Sequence, residues 1–466
     1  MAKNSLFRKF SSYPLMVVIR RFYGRLLRML LQQSIHRQWH TLAAAVFWLN
    51  IHKLPSASPM PGKPRYKLLL LRKAIFDEDA FVSFGACEQV QLYGISRKIT
   101  KLIAYSFLPS HLNDDRYRSQ SPDDDRQKQA YRQFLIQMWS RLRRVIQIDA
   151  VLTANFGYRS EQELAAALES LGIPCIALHK ENLKTPKIAE LYAEACRLYR
   201  TPFLGRKIFV YNEIERQAQI TGRIVAPEDV IVTGVPRFDT THQMRRKLAT
   251  QPSTPASRPT IVFFFFTQTP YPRDWYEGIE WKQLLRQTFQ AVVELARSNP
   301  ECDVIIKTKA SRLVHLSVLE PLVQEVQPLP ETLQIIRGGD PLQLILQSDV
   351  VCSFNSTTIL DALALDKPAV VPHFAEAARP EYQPFIVDYE EAVEYAASPQ
   401  ELQTKLLQIA REHRPVRAEL PPHVVRILNT WMGNGDGQAA ARVRQAVFAE
   451  LEKEPSMMPN AAKTAS

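Results

Sequence analysis

The stretch "SDVVCSFNSTTILDALALDKPAVVP", Ser348–Pro372, decides how the fold is read. Val350–Phe354 is an apolar run with the length of a buried strand, and Ile359–Leu365 repeats its apolar residues at helical spacing. Ala369 then opens a second apolar run. Strand, helix and strand in such quick succession are the unit of a parallel sheet with crossover helices. Between the first strand and the helix lie Asn355, Ser356, Thr357 and Thr358. Side chains of this type cap helix starts. The same turn, with free backbone N–H groups and the positive end of the helix dipole, also suits an anion. The sequence leaves both uses open.

The alternation extends in both directions. Upstream, "YKLLLLR", "QVQLYGI", "DAVLTANF", "PCIALHKE", "RKIFVYN" and "DVIVTGVPRFD" read as strands, with helical periodicity at 98–107, 128–145, 161–171, 187–199 and 213–221. "PSHLNDDRYRSQSPDDDRQ" reads as a surface loop. The pattern lapses at 241–259, rich in Pro, Ser and Thr, and restarts with "IVFFFF", "DVIIKTK", "LQIIRG", "DVVCSF", "AVVPHF" and "FIVD". The expected fold is α/β, with two doubly wound Rossmann-like domains facing a cleft. The boundaries read as a basic amphipathic segment at 1–60, a first domain at 61–240, a linker at 241–259, a second domain at 260–436, and a C-terminal helix with a flexible tail at 437–466.

Charge is distributed unevenly. The 466 residues carry a formal net charge of +12, yet 14 of the 59 Lys and Arg precede the first acidic residue, Asp77. The 45 that follow face 47 acidic residues, so the body is near neutral and a nucleic-acid groove is disfavoured. In "RRFYGRLLRMLLQQ", Arg21, Arg25 and Arg28 share one helical face, while Phe22, Leu26, Met29 and Leu30 share another. The apolar runs nearby fall short of the ~20 residues that cross a bilayer. This segment, residues 1–50, is expected to lie on an anionic membrane surface or to pack on the protein body. The five cysteines are scattered without metal-binding spacing, which suggests a reducing compartment. The expected location is cytoplasmic, peripheral on the inner face of the membrane.

"VTGVPRFD" (Val232–Asp239), a linker, and a second α/β half ending in Ser348–Pro372 together resemble the GT-B glycosyltransferases. Within that group the similarity is to the bacterial capsule and surface-polysaccharide branch, near the CDP-glycerol glycerophosphotransferases and the UDP-sugar 2-epimerases. It covers roughly residues 68–372. The resemblance implies an enzyme that transfers a sugar from a nucleotide-activated donor to a carbohydrate or lipid-linked acceptor. The alternatives are transfer of a phosphoalcohol from a CDP-activated donor, and a catalytically silent scaffold of the same fold. It also implies that Ser356, Thr357 and Thr358 bind the donor phosphates, with Asp361 in the place of a glutamate that holds the ribose. Lys309 stands where the family usually has histidine.

Strand-end geometry supplies the other candidates. Lys307 and Lys309 alternate at the end of "DVIIKTK" and would meet a diphosphate or an acidic acceptor. Thr267 and Gln268 follow "IVFFFF" and would line the donor cleft. His179 and Glu181, at the end of "PCIALHKE", are the candidate catalytic bases for an acceptor hydroxyl. Gly234 and Arg237 mark an interdomain turn in which Asp239 would pair with Arg237. HExxH, P-loop, GxGxxG and GxSxG patterns are lacking, and no Asp-x-Asp ends a strand, so a metal-independent transfer without a cofactor is expected.

Overall fold

The computed structural model describes residues 14–56, 62–179, 183–251, 258–269, 278–309, 312–412 and 414–453. The first half runs α1 (Pro14–His36), α2 (His40–Leu49), β1 (His52–Lys53), β2 (Tyr66–Arg72), α3 (Ala74–Phe84), β3 (Val90–Ser96), α4 (Arg97–Tyr105) and α5 (Pro122–Leu142). It continues with β4 (Ala150–Thr153), α6 (Arg159–Ser170), β5 (Cys175–Leu178), α7 (Pro186–Tyr199), β6 (Lys207–Val210), α8 (Glu213–Thr221), β7 (Val230–Val232) and α9 (Arg237–Ala249). The second half runs β8 (Thr260–Phe264), α10 (Lys282–Ser298), β9 (Asp303–Thr308), α11 (Arg312–Glu325), β10 (Leu333–Arg337), α12 (Pro341–Gln347) and β11 (Val350–Cys352). There follow α13 (Thr357–Ala364), β12 (Ala369–Pro372), β13 (Glu394–Ala396), α14 (Pro399–Arg411), α15 (Pro422–Met432) and α16 (Ala439–Leu451).

Two sheets result. The first has the order β1-β3-β2-β4-β5-β6-β7 and is parallel except for the short edge strand β1. The second, β10-β9-β8-β11-β12-β13, is parallel throughout. Helices cover both faces of each, which is why Leu68–Leu71 of β2 can all be apolar and all fully buried. The α/β class and the two doubly wound domains agree with the sequence reading.

Four details differ from it. "FIVD" is not a strand; the last strand of the second sheet is β13, Glu394–Ala396. "SPDDD" is not loop but the start of α5, with Ser121 as N-cap, proline in the first turn and three aspartates against the helix dipole. Residues 241–249 are not linker but most of α9, which buries Asp239, Thr241, His242 and Arg245. Arg245 reaches across to donate to the Ala364 carbonyl at 3.1 Å.

The fourth difference concerns the N-terminus. Residues 14–53 of the segment read as 1–60 belong to the first domain, and of the two placements expected for it the packing on the protein body is seen, because α1 and α2 form a hairpin packed on α4 and α5. Leu27, Leu31, Ile35, Ala43, Val46 and Phe47 are buried, with Phe47 edge-on to Trp139. β1 then pairs with β3. Of the apolar stripe expected to meet a membrane, Leu26 and Met29 are exposed, and the stripe that packs inward is Leu27–Leu31–Ile35. Phe22 lies outside the described side chains, and the tail expected beyond the C-terminal helix, 454–466, lies outside the described residues. Among the described residues no helix is long and apolar enough to cross a membrane. The cysteines are free, and four of the five are buried.

α16 returns from the second domain to the first. Its Val443 and Val447 share a core with Leu68, Leu70 and Phe76. The "TGVPRFD" turn receives it. Gly234 (φ +75°) and Gly433 (φ +59°) pass backbone against backbone, and a β-carbon on either would collide with a carbonyl oxygen. Asp239 does not pair with Arg237. Its carboxylate accepts from the N–H groups of Ala439 (3.0 Å) and Ala440 (2.8 Å), so it caps α16. Arg237 pairs instead with buried Asp79 of α3, at 2.9 Å.

Two outcomes follow. Gly433→Ala adds a β-carbon at positive φ against the Tyr211 carbonyl and should cost at least about 2 kcal/mol in denaturant unfolding. Deleting residues 1–50 should yield an unfolded or aggregating first domain, because it strips Phe47 and Leu31 from the core; a truncated chain with the parent's melting temperature would contradict the packing.

Candidate functional site

In an open parallel sheet, ligands collect outside the C-terminal strand ends where the strand order reverses. The second sheet reverses between β8 and β11. The loop after β8 carries Thr267 and Gln268, and the loop after β11 is the hydroxyl-rich turn. Ser353 ties the two by donating to the Phe264 carbonyl at 3.0 Å.

The turn divides its polar groups between structure and exposure. Asn355 sits at φ +45°, a conformation its short amide tolerates. Its side chain bridges outward, donating to Phe385 O (2.9 Å) and accepting from Val387 N (2.8 Å). Ser356 caps α13: its Oγ accepts from Thr358 N at 3.3 Å and lies 2.8 Å from Thr358 Oγ1. The Tyr389 hydroxyl donates to Ser356 O. Thr357, at the first helical position, is half-buried, and its hydroxyl makes no hydrogen bond among the described residues. Capping therefore accounts for Ser356 and bridging for Asn355. Neither accounts for Thr357.

Asp361 stands one turn into α13. Burial pushes its carboxyl up to about 7; Arg237 opposes the shift, and Glu78 of α3 and Asp340 at the start of α12 reinforce it. Glu78 is itself raised, by burial first. Arg237 and Glu78 belong to the first domain, and Asp361 and Asp340 to the second, so these groups mark where the two domains meet.

The other expected donor-side residues are placed less uniformly. Lys307 is buried and folds back to donate to the Thr308 carbonyl at 3.0 Å, and burial lowers its pKa. Lys309 is exposed, so the two lysines do not form a matched pair. Thr267 is exposed and donates to Thr269 O, and Gln268 accepts from Trp281 N through its carbonyl.

The first sheet reverses between β2 and β4. Here lies a cluster absent from the sequence reading. Lys73, directly after β2, hydrogen-bonds the Tyr158 hydroxyl from the loop after β4. Arg97, directly after β3, stacks its guanidinium 3.4 Å from the Tyr158 ring centroid and pairs with buried Glu161, which also accepts from Thr153. Burial, and then the charge of Arg97, bring Lys73 down to about 8. The available signal was that "YKLLLLRK" and "QLYGISRK" both leave a strand on consecutive basic residues.

His179 is not at the cleft surface. It is 2% exposed, its ring edge-on to Phe156 and its Nε2 3.0 Å from Glu215 Oε1. Lys184 donates to the other carboxylate oxygen at 2.8 Å, and Gln219 donates to Oε1 at 2.6 Å. Burial lowers the histidine's pKa, while the charge of Lys184 and the hydrogen bonds to the Glu215 carboxylate outweigh burial and hold Glu215 down to about 2. The expectation of a catalytic base at His179 gives way to a structural role, because its ring is buried and set against the Glu215 carboxylate that Lys184 and Gln219 also hold. Glu181 lies outside the described residues.

A cavity of about 530 Å³ opens at the opposite end of the second sheet, lined by Asp366, Lys367, Lys405, Arg414 and Arg417. Its charges are matched in pairs such as Arg417–Asp366 (2.6 Å), so it offers no excess of one sign. Among the described residues no cluster of His, Cys, Asp or Glu has metal-binding geometry.

No protein-family model matches the chain, and no curated protein does. Among solved structures it is similar to UDP-GlcNAc 2-epimerase from Neisseria meningitidis bound to UDP-GlcNAc, at 14% identity and TM-score 0.47, covering 82% of this chain and 100% of that one. It is similar to a putative UDP-N-acetylglucosamine 2-epimerase from Listeria monocytogenes (11%, TM-score 0.48, 84% and 98%). It is also similar to trehalose 6-phosphate synthase from Burkholderia multivorans (13%, TM-score 0.44, 84% and 96%).

The buried network fixes an acid limit. Glu215 is held below its ordinary value in the fold, so its contribution is complete above about pH 4.5 and is lost as pH falls toward about 2. The size is roughly 3 kcal/mol. Neutral His179 acts in the same direction from its ordinary 6.5 downward, since the unfolded chain takes up that proton more readily. Denaturant unfolding followed from pH 7 to pH 3 should show a falling stability that Glu215→Gln flattens.

Proposed function

We propose that the chain is a glycosyltransferase that moves a sugar from a nucleotide-activated donor to a surface-polysaccharide or glycolipid acceptor. The observation that carries this reading is Thr357, a hydroxyl that capping does not use. It sits on a helix N-terminus at the reversal point of the second sheet, with Asp361 one turn further in. N–H groups at a helix start and adjacent hydroxyls meet a diphosphate directly. Asp361, near neutrality with a pKa of about 7, can either accept from or donate to ribose hydroxyls.

In the transfer, an acceptor hydroxyl oxygen attacks the donor's anomeric carbon. The bond from that carbon to the phosphate oxygen breaks, and the nucleoside diphosphate leaves with the electron pair toward the α13 N-terminus. The acceptor's proton goes to a base on the first domain. Two groups suit this role: Glu181, which follows β5, and Lys73 at the reversal point of the first sheet, whose depressed pKa makes it a usable base near neutral pH.

A pH profile separates these two bases. Neutral Lys73 accumulates as pH rises through about 8, so with Lys73 as base the rate climbs across that range and Lys73→Met abolishes the climb. With Glu181 as base, that climb is absent and Glu181→Gln removes the rate.

The donor site is tested by affinity beside melting temperature, using UDP-, CMP- and CDP-linked donors. Thr357→Ala should lose a hydrogen bond to a charged group, roughly 1.5–3 kcal/mol or about 10- to 150-fold in affinity, with melting nearly unchanged. Ser356→Ala should lower stability by about 1 kcal/mol through the lost cap and weaken the donor as well. Tight binding of the CDP-linked donor alone would point to phosphoalcohol transfer. Binding of none would point to a silent scaffold, and a Thr357→Ala variant with full affinity would remove the observation on which this reading stands.

A further inference from the structure

The hairpin α1–α2 has two faces, and the fold uses one. Its inner face is core, so its orientation on the first domain is fixed. Its outer face presents Leu26 (36% exposed), Met29 (53%), Trp39 (47%), Trp48 (44%) and Leu49 (44%) to solvent. Leu26 and Met29 lie three residues apart on the outward side of α1. Trp39 occupies the turn between the helices, and Trp48 and Leu49 end α2. These are half of the ten large apolar side chains found exposed among the described residues, gathered on one short hairpin.

On the hairpin itself the charge has a single sign. Arg25, Arg28 and Arg37 are exposed on the same elements, and the Arg37 guanidinium lies 4.9 Å from the Trp39 ring centroid. The sequence holds no Asp or Glu before Asp77. α2 runs alongside α5 in the same sense, His40 against Phe134 and Phe47 against Trp139. Trp48 and Leu49 therefore emerge at the end of α5, near exposed Arg144 and Val145.

We propose that this outer face seats the protein on an anionic lipid bilayer, with the tryptophans and aliphatic side chains entering the interface and the arginines meeting headgroup phosphates. Tryptophan prefers that depth, and arginine can bury its stem while its charge stays at the headgroups. Amphipathic helices with basic polar edges bind such surfaces through buried apolar area and anionic attraction together. A second copy of the same face would set arginine against arginine. A nucleic acid would match the arginines but leave Leu26, Met29 and Leu49 uncovered. Because the hairpin belongs to the core of the first domain, docking would hold that domain in one fixed orientation to the membrane. The proposal does not depend on which donor or reaction the cleft serves.

The test is co-sedimentation of the full chain with vesicles of phosphatidylcholine alone and of phosphatidylcholine containing phosphatidylserine. The expected result is binding to the serine-containing vesicles, weakened by salt and accompanied by a blue shift of tryptophan emission. Met29→Glu and Trp48→Glu, and separately Arg25→Glu with Arg28→Glu, should each weaken binding roughly tenfold or more with melting unchanged. Leu198→Glu, equally exposed but on α7, should bind as the parent does. The proposal is overturned if the parent ignores both vesicles, or if the hairpin variants bind as well as the parent. It is likewise overturned if the parent is a dimer that Trp48→Glu dissociates while vesicle binding is unaltered, or if a short oligonucleotide binds the parent and vesicles do not.

Discussion

Where Gly234 passes Gly433, two backbones approach so closely that neither position has room for a β-carbon. Around that contact, Asn212 donates to the Trp431 carbonyl, Val235 N to Met432 O, and Asn434 to Val235 O. Asp239 caps the helix that follows. The arrangement sets where the C-terminal helix crosses back to the first domain, and so how the two sheets address each other. It also explains why "TGVPRFD" contains a glycine, a proline and an aspartate within a few residues. One residue allows the approach, one starts the turn into α9, and one caps the start of another helix.

The same turn supplies Arg237 to the cleft. Held by fully buried Asp79, its guanidinium is the cation that opposes the shift of Asp361, while Glu78 and Asp340 push that shift further. Arg237 thus acts on Asp79, Glu78 and Asp361, three carboxyl groups from two domains. A ligand with a neutral sugar and a diphosphate would meet hydroxyls and helix N–H groups at α13 and this mixed charge set between the domains. The hydroxyl turn and the Lys73–Tyr158 pair follow from strand order, since each lies at a sheet's reversal point.

Strand order itself could not be read from the chain, but most of the strands could. β2, β4, β5, β6, β8, β9 and β11 are buried apolar runs whose period and length are local properties. What stayed hidden depended on long-range contact. Residues 241–249 look like linker until the pocket for Arg245 and His242 is seen. The N-terminal helix looks detached because its arginines dominate the sequence, although Leu27, Leu31 and Ile35 form a second, inward stripe. His179 reads as a base because it follows a strand, and only the fold shows it buried against Glu215, which Lys184 also holds. Lys73 and Arg97 were overlooked for the opposite reason: a strand-end basic residue looks solvated until the Tyr158 ring is placed between them. The hydroxyl turn was legible in position, and the structure separates its capping residue, Ser356, from its unused one, Thr357.

We propose that one nucleotide occupies the reversal point of the second sheet and contacts both domains. Amide hydrogen exchange on the full chain, with and without saturating nucleoside diphosphate, tests it directly. The account predicts slowed exchange at 353–361 and in the loop at 265–269, together with slowed exchange in 73–79 across the cleft. Protection confined to the far cavity around 366–369 and 405–417, or no protection at 353–361 with nucleotide demonstrably bound, would contradict it.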